Sequence, residues 1–406
     1  MNIYQKIIYN KSGIYLKNGE STQLNVDWIM VHDGSILMVE RYYREYGFKK
    51  VFNPDKIIVV FDHIFPANNS LTANLHEKAR AFVKEHAISH FYEGGKGISH
   101  QLLLESDKIK PGNLLLGGDS HTPTIGANSV MGLGAGATDM TYGMLSGQTW
   151  FTMGECVKIK LVNKPSSKLS AKDVVLHIAK TVDARRLHDK YIVYESEYLL
   201  AEDWRAVICN MSPELGAVTS LFELNKEVIN NDPKYSANDL SLISDSDKDF
   251  DDIIIIDLSI IEPLIAIPHD LTKVVSSSER LGVKVDVVFI GTCTGGRLED
   301  LLSAAEVFRE MKTPLRTRLL INPASINVYK DAIDKGIIKE FIELGATILP
   351  PSCGPCLGQN MGVLGDNEVC VSTANRNYKG RMGNKNASIY LCSPTTAAYA
   401  AINGEI

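Results

Sequence analysis

Short apolar, β-branched runs, each broken at once by a polar, glycine-marked turn, recur along this 406-residue chain and narrow its fold more than any other feature. Lys56-Ile-Ile-Val-Val-Phe61 runs into Asp62-His63, and Asn113-Leu-Leu-Leu116 into Gly117-Gly-Asp-Ser-His-Thr122. Ala206-Val-Ile-Cys209 runs into Asn210-Met-Ser-Pro-Glu214, and Val285-Asp-Val-Val-Phe-Ile290 into Gly291-Thr-Cys293. Glu368-Val-Cys-Val371 runs into Ser372-Thr-Ala-Asn-Arg-Asn377. Continuous apolar runs of this length suit strands buried on both faces, hence a parallel sheet. Amphipathic helical patterns lie between several of them, as at Leu298–Met311 and Ile326–Leu344. The expectation is an α/β fold, in which ligands bind beyond the carboxyl ends of the strands. The polar residues fall at that end, which predicts one site assembled from several loops.

The bulk properties narrow the function. The length suggests two or three domains. A net charge of −6 and a pI near 6.0 leave no electrostatic footprint for nucleic acid or an anionic membrane. The amino terminus lacks the apolar core of about 7–15 residues that a signal peptide needs. The most apolar stretch, Ile253–Ile267, is interrupted by Asp257 and Glu262 and is too short to span a bilayer; it reads as a buried strand and its continuation. Seven cysteines, an odd number, argue against a disulfide framework and fit a reducing cytoplasm. Cys156, Cys209, Cys370 and Cys392 sit in or beside apolar runs and read as buried free thiols. The acidic patch Asp245–Asp252 has Phe250 and Ile256 where a calcium loop needs glycine and a carboxylate, so it reads as a solvated loop.

The other three cysteines carry chemistry. Cys293 lies in Gly291-Thr-Cys-Thr-Gly-Gly-Arg297, and Cys353 and Cys356 in Pro351-Ser-Cys-Gly-Pro-Cys-Leu-Gly358. Three thiolates are one short of the usual complement of a cubane iron–sulfur cluster, which would leave one iron open to act as a Lewis acid. On spacing alone, an open cluster and a zinc site both stand. His63 follows Asp62, His100 closes Gly97-Ile-Ser-His, and His121 closes Asp119-Ser-His. A carboxylate that accepts from one ring nitrogen raises the basicity of the other, so these read as oriented acid/base groups. Arg297, Arg376 and Arg381 follow the cysteine motifs, and arginine forks match a di- or tricarboxylate. The run Gly132-Leu-Gly-Ala-Gly-Ala137 satisfies a loose dinucleotide fingerprint, but no suitable strand leads into it; close helix packing accounts for it.

Taken together, Asp119-Ser-His-Thr122 with Gly126 and Gly136-Ala-Thr-Asp139, the Gly291-Thr-Cys-Thr294 loop, the Cys353-Gly-Pro-Cys-Leu-Gly358 pair and Asn375-Arg-Asn-Tyr-Lys-Gly-Arg381 resemble the aconitase superfamily. Within it, the chain is similar to the large subunits of the 3-isopropylmalate dehydratase and homoaconitase group. The resemblance runs from Tyr4-Gln-Lys-Ile7 and Val31-His-Asp33 to Ser393-Pro-Thr-Thr396 and Asn403-Gly-Glu-Ile406, nearly the whole chain. It implies three aconitase-like α/β domains with largely parallel sheets around a shared iron–sulfur site. Residues 1–150 would carry the Asp-His loops, 151–265 the Asn210/Glu214 loop, and 266–406 the cluster cysteines and the arginine loop. The mobile fourth, or swivel, domain of aconitases is expected to be absent. By the same resemblance, Cys293, Cys353 and Cys356 hold one 4Fe–4S cluster per subunit. Asp62 with His63, Asp119 with His100, and Glu214 with His121 become the catalytic pairs, His63 protonating the departing hydroxyl. His32, Ser120, Asn210, Asn375, Arg376 and Arg381 match residues that hold substrate oxygens or surround the cluster.

The implied reaction is the dehydration and rehydration of a hydroxy di- or tricarboxylic acid, foremost 2-isopropylmalate to 3-isopropylmalate in leucine biosynthesis. Homoaconitate, citramalate or citraconate, and 2,3-dimethylmalate are the alternatives. The base in aconitases is a serine of the swivel domain, so a separate small subunit is expected to supply it, with no nucleic-acid or membrane partner. One departure bears on the substrate: the family's usual Cys-Thr-Asn-Gly-Arg is here Cys293-Thr-Gly-Gly-Arg297, which removes an amide near the cluster. Two other classes compete. A cluster-dependent RNA-binding regulator is opposed by the acidic balance and the missing basic stripe. A purely structural zinc or cluster protein leaves the histidine–carboxylate and arginine loops without a purpose.

Overall fold

Four of the five apolar runs fold as buried strands. The computed structural model describes residues 1–231, 235–279 and 281–406. Its first part holds β1 (Ser21–Asn25), β2 (Trp28–His32), β3 (Ile57–Val60), β4 (His90–Tyr92), β5 (Leu114–Gly117), β6 (Met131–Gly134) and β7 (Gln148–Thr152). Strands β2 to β6 make an all-parallel sheet in the order β4-β3-β2-β5-β6, while β1 and β7 pair antiparallel beside it. The chain leaves β2 for one side of the sheet and later returns to the other. Such a switch opens a crevice at the carboxyl ends, and β2, β3 and β5 all end there.

A second parallel sheet, in the order β10-β9-β8-β11, is built from β8 (Cys156–Val162), β9 (Tyr191–Ser196), β10 (Thr219–Phe222) and β11 (Asp252–Asp257). The third takes β12 (Leu264–Ala266), β13 (Val274–Ser276), β14 (Val287–Gly291), β15 (Arg318–Asn322), β16 (Thr347–Ile348), β17 (Val369–Ser372) and β18 (Ser388–Cys392). Its order is β13-β12-β18-β17-β14-β15-β16; β14 to β18 run parallel, and β12 and β13 are antiparallel additions at one side. Here the switch falls at β14, which has β15 on one side and β17 on the other. Residues of the second and third sheets share one core, with Ile159, Ile192 and Phe222 in the same packed cluster as Phe289, Cys370 and Ile389.

Several expectations need correction. Ala206–Cys209 is not a strand but part of the helix Glu202–Met211. Glu202 and Asp203 open that helix, where a negative charge suits the dipole. Every residue from Arg205 to Met211 is buried, so the helix shows no polar face and its sequence mimics a doubly buried strand. The pattern over Ile326–Leu344 is two helices, Ile326–Asp334 and Ile337–Glu343, parted at Gly336 with φ 76°. Ile253–Ile267 divides between β11 and β12 and so passes from one sheet to another. The glycine run contains a strand of its own: β6 ends at Gly134, and Gly136 caps the helix Ala137–Ser146. A Cβ at Gly132 would lie 2.5 Å from the Thr122 carbonyl, so close packing is the reason for that glycine.

The acidic patch is a solvated loop, as expected, and its carboxylates also tie distant segments together. Asp245 pairs with Lys6 at 2.6 Å, Asp247 with Lys158 at 3.2 Å and Lys160 at 2.5 Å, and Asp251 accepts from the Cys156 amide at 2.7 Å. Cys156, Cys209, Cys370 and Cys392 are all buried free thiols in apolar clusters, as expected.

Candidate active site

Strand ends deliver the site. β2 ends at His32, the loop after β3 carries Asp62 and His63, and the loop after β5 carries Asp119, Ser120 and His121. His100 lies in the short helix Ser99–Leu104. From the third sheet come Cys293 after β14, Asn375, Arg376 and Arg381 after β17, and Cys353 and Cys356 from the segment between β16 and β17. Asn210 and Glu214 close the helix Glu202–Met211 and the turn behind it, not a strand as expected. Every residue assigned to the site from the sequence, Arg297 aside, falls into one connected network of contacts.

Asp119 is its hub. One carboxylate oxygen takes His100 Nε2 at 2.9 Å and the His121 amide at 2.7 Å, and the other lies 3.2 Å from His63 Nε2. His63 is gripped at its other nitrogen too, with Nδ1 2.7 Å from Asp62 Oδ1. Asp62 is fully buried and its second oxygen accepts from the Ser99 amide at 2.6 Å. Burial acts to lower the His63 pKa, but the negative charge on Cys353, Asp62 and Asp119 outweighs it and raises the value well above the ordinary one. Burial would raise Asp119, and the three histidines outweigh it and hold that carboxyl well below the usual range. His121 Nε2 sits 2.9 Å from Glu214 Oε1, which also accepts from Arg376 Nε at 2.6 Å. Arg376 Nη2 donates to Ser120 Oγ at 2.9 Å. Burial raises Glu214 as well, and His121 with Arg376 brings it below its ordinary value. The His32 ring stacks on His63 at 3.7 Å and 15°. Its Nδ1 accepts from the Gly34 amide at 3.1 Å, which leaves Nε2 as the N–H end.

The cysteines converge beside these groups. Asn210 Nδ2 donates to Cys293 Sγ at 3.1 Å and Asn375 Nδ2 to the same sulfur at 3.7 Å; Cys356 Sγ donates to Asn375 Oδ1 at 3.7 Å and accepts from Arg381 Nη2 at 3.6 Å. Cys353 Sγ lies 3.9 Å from His63 Nδ1, and its amide donates to the Asp62 carbonyl at 2.7 Å. Ile98 and Ala324 pack around Cys293 and Cys353. Burial pushes the Cys293 thiol up to about 12 and raises Cys353 as well, so thiolates here require a cation to balance them. The donor set fits an iron–sulfur cluster: two buried sulfurs and the half-buried Cys353, an apolar wall and amide N–H groups aimed at the Cys293 sulfur. His63, 3.9 Å from Cys353 Sγ, is held at both nitrogens by carboxylates and so is not free to close a zinc site as its fourth ligand.

The sequence reading missed supporting residues. Asp33 is buried and accepts the amides of His63 and Ile64 at 3.0 and 2.8 Å, with His76 Nε2 at 3.4 Å. It opens the helix Asp33–Tyr46 directly after β2, a strand-to-helix passage that could have flagged it. Gln101 accepts from Arg297 Nε at 2.9 Å and so joins the His100 helix to the Cys293 loop. Arg297 is wholly buried behind the site, not on a rim facing substrate as expected. Nothing local in the sequence signals that contact, which spans the chain from residue 101 to residue 297.

The His63 and His100 rings on Asp119, the His121–Glu214 pair and the three cysteines thus lie together at the strand ends. The chain belongs to the aconitase family, described as aconitate hydratase, whose pattern matches residues 5–282 and 272–404. It is 40% identical to the 3-isopropylmalate dehydratase large subunit 1 of Thermotoga maritima, over 99% of this chain and 97% of that one. It is 37% identical to the methanogen homoaconitase large subunit of Methanocaldococcus jannaschii, over 100% of this chain and 99% of that one. The crystal structure of Thermococcus kodakaraensis aconitase X in its holo-form superposes with a TM-score of 0.51 at 13% identity, over 94% of this chain and 86% of that one, and shows the same fold. Among the described residues, no helix is long and apolar enough to cross a membrane.

Proposed function

We propose that this chain is the catalytic large subunit of a 4Fe–4S hydro-lyase that interconverts 2- and 3-isopropylmalate, in the cytoplasm and with a separate small subunit. The observation that carries the reading is the placement of the Cys293, Cys353 and Cys356 seat against the His63 and Asp119 network, with Arg376 and Arg381 beside it. A cluster held by Cys293, Cys353 and Cys356 would supply Lewis-acid iron to polarise a substrate hydroxyl and carboxylate.

The chain's own groups do the rest. Arg381 and Arg376 present guanidinium forks for carboxylates, and Glu214 and Ser120 orient Arg376. His63, held as an imidazolium between Asp62 and Asp119, is the proton donor to the departing hydroxyl. His32, with Nε2–H as its free end, donates to a substrate oxygen. Asn210 and Asn375 aim amide N–H groups at cluster sulfurs. Abstraction of the carbon-bound proton falls to a serine on the small subunit's swivel domain, a partner that the "large subunit" relatives support. Homoaconitate is the second reading, because a homoaconitase relative matches over an equal span.

The test is anaerobic reconstitution with the small subunit, following enoate absorbance with 3-isopropylmalate, homocitrate, citramalate, 2,3-dimethylmalate and citrate. Turnover of 3-isopropylmalate, abolished in Cys353→Ser, is expected. Preference for homocitrate establishes the second reading, and no turnover of any acid despite a loaded cluster overturns both.

A further inference from the structure

Lys172 belongs to no part of the chemistry described so far, yet it occupies a costly position beneath it. It sits in the first turn of the helix Ala171–Thr181, where the helix dipole disfavours a cation, and only 1% of its surface is exposed. A buried ammonium is expensive unless it is paired and hydrogen-bonded. Its Nζ donates to the carbonyls of Thr373 at 2.9 Å and Ala374 at 2.8 Å. Those are the two residues directly ahead of Asn375 and Arg376. The Thr373 carbonyl also accepts from Thr294 Oγ1 at 2.8 Å, one residue beyond Cys293. One carbonyl therefore joins the lysine, the loop of Cys293 and the segment that presents Asn375 and Arg376.

Packing alone gives no reason for a charge there, since an apolar side chain would fill the space without the desolvation cost. The two carbonyls it binds, one of them shared with the Cys293 loop, do. Burial brings the Lys172 ammonium down to about 8, while Cys293, Asp300, Cys392 and Cys356 act in the opposite sense. With Nζ donating to two carbonyls, the geometry favours the ammonium form.

We propose that Lys172 is a positioning residue for the hydro-lyase site: its buried cation fixes the Thr373–Ala374 backbone that presents Asn375 and Arg376, and it raises the reduction potential of the cluster seated on Cys293, Cys353 and Cys356. The inference rests on the cluster reading above. Cluster potentials respond to nearby net charge and to hydrogen bonds, and Lys172 joins the buried Arg297 as a cation set behind the seat rather than at its mouth.

The test uses the full chain loaded anaerobically with iron and sulfide, titrated electrochemically under EPR, and then assayed with its small subunit. Lys172→Met should lower the cluster midpoint potential and raise KM about tenfold, as expected for a lost charge-assisted anchor, with kcat changed far less. Lys172→Gln keeps amide donors for the carbonyls but removes the charge. It should show the lowered potential with KM closer to wild type, and it covers the case in which the methionine variant does not load. A wild-type potential in both variants overturns the proposal even if KM rises, because loosened packing alone raises KM. A wild-type chain that binds no reducible cluster overturns the cofactor reading along with it. A lowered potential without turnover of any hydroxy acid supports the proposal and overturns only the substrate assignment.

Discussion

At Gly295, where the family usually has asparagine, the explanation is steric. A Cβ there would lie 2.2 Å from Thr373 Oγ1 and 2.3 Å from Thr373 Cβ. Thr373 in turn accepts from the Gly291 amide at 2.9 Å and so stitches β17 to the start of the Cys293 loop. Gly295→Ala should therefore cost about 2 kcal/mol by overpacking. Thr373→Gly should cost about 1–3 kcal/mol by leaving a buried amide unpaired. In the double variant the two should couple by about 1 kcal/mol or more, because loss of the Thr373 Oγ1 and Cβ gives the methyl room. Urea unfolding of the four proteins measures that cycle, and strict additivity would refute the contact. Residues of this kind mark where the sequence was legible and where it was not. Cysteines, Asp-His pairs and arginines announce themselves by chemistry that few other positions need. Asp33, Gln101 and Lys172 act through partners 30 to 202 residues away, so no local pattern reveals them.

Among the elements, the parallel strands were readable because burial on both faces writes an unbroken apolar run. The helix Glu202–Met211 was not, because burial on all sides writes the same run. That helix packs against the 3-10 segment Thr122–Asn128, which follows His121 and is itself buried throughout. Asn210 donates across this junction to Thr124 Oγ1 at 2.7 Å, and Thr124 Oγ1 donates to the His121 carbonyl at 2.6 Å. The junction depends on Gly126, where a Cβ would stand 2.1 Å from the Ser220 carbonyl of β10. Backbone on backbone leaves no side chain to yield. Gly126→Ala should destabilise the chain by about 3 kcal/mol or more and should weaken iron loading through Asn210. Chemical denaturation and iron content after reconstitution read the two effects, and a fully stable, fully loaded variant would contradict the packing.

For the whole molecule, the site's charges make stability depend on pH in a stated direction. Asp119 and Glu214 titrate lower when folded than when unfolded. Their contribution is therefore complete above the unfolded carboxylate range, near about 4, and is lost as pH falls through the folded values. The unfolding midpoint in urea should drop between about pH 5 and pH 3, and Glu214→Gln should flatten part of that slope. An unchanged slope in the variant would mean that Glu214 is not held by His121 and Arg376. On this scale the α/β class and a multi-loop site were legible, because parallel sheets oblige their loops to meet at strand ends. How the sheets share a core was not, since Ile159 meets Phe289 only after both sheets exist.

All three sulfurs hang from the third sheet, while the Asp62–His63 and Asp119–His100 pairs hang from the first. The three sulfurs and the carboxylate–histidine pairs are thus carried on separate stretches of the polypeptide. A change in the first sheet's loops can therefore alter the groups facing the sulfurs while leaving the backbone that carries them in place.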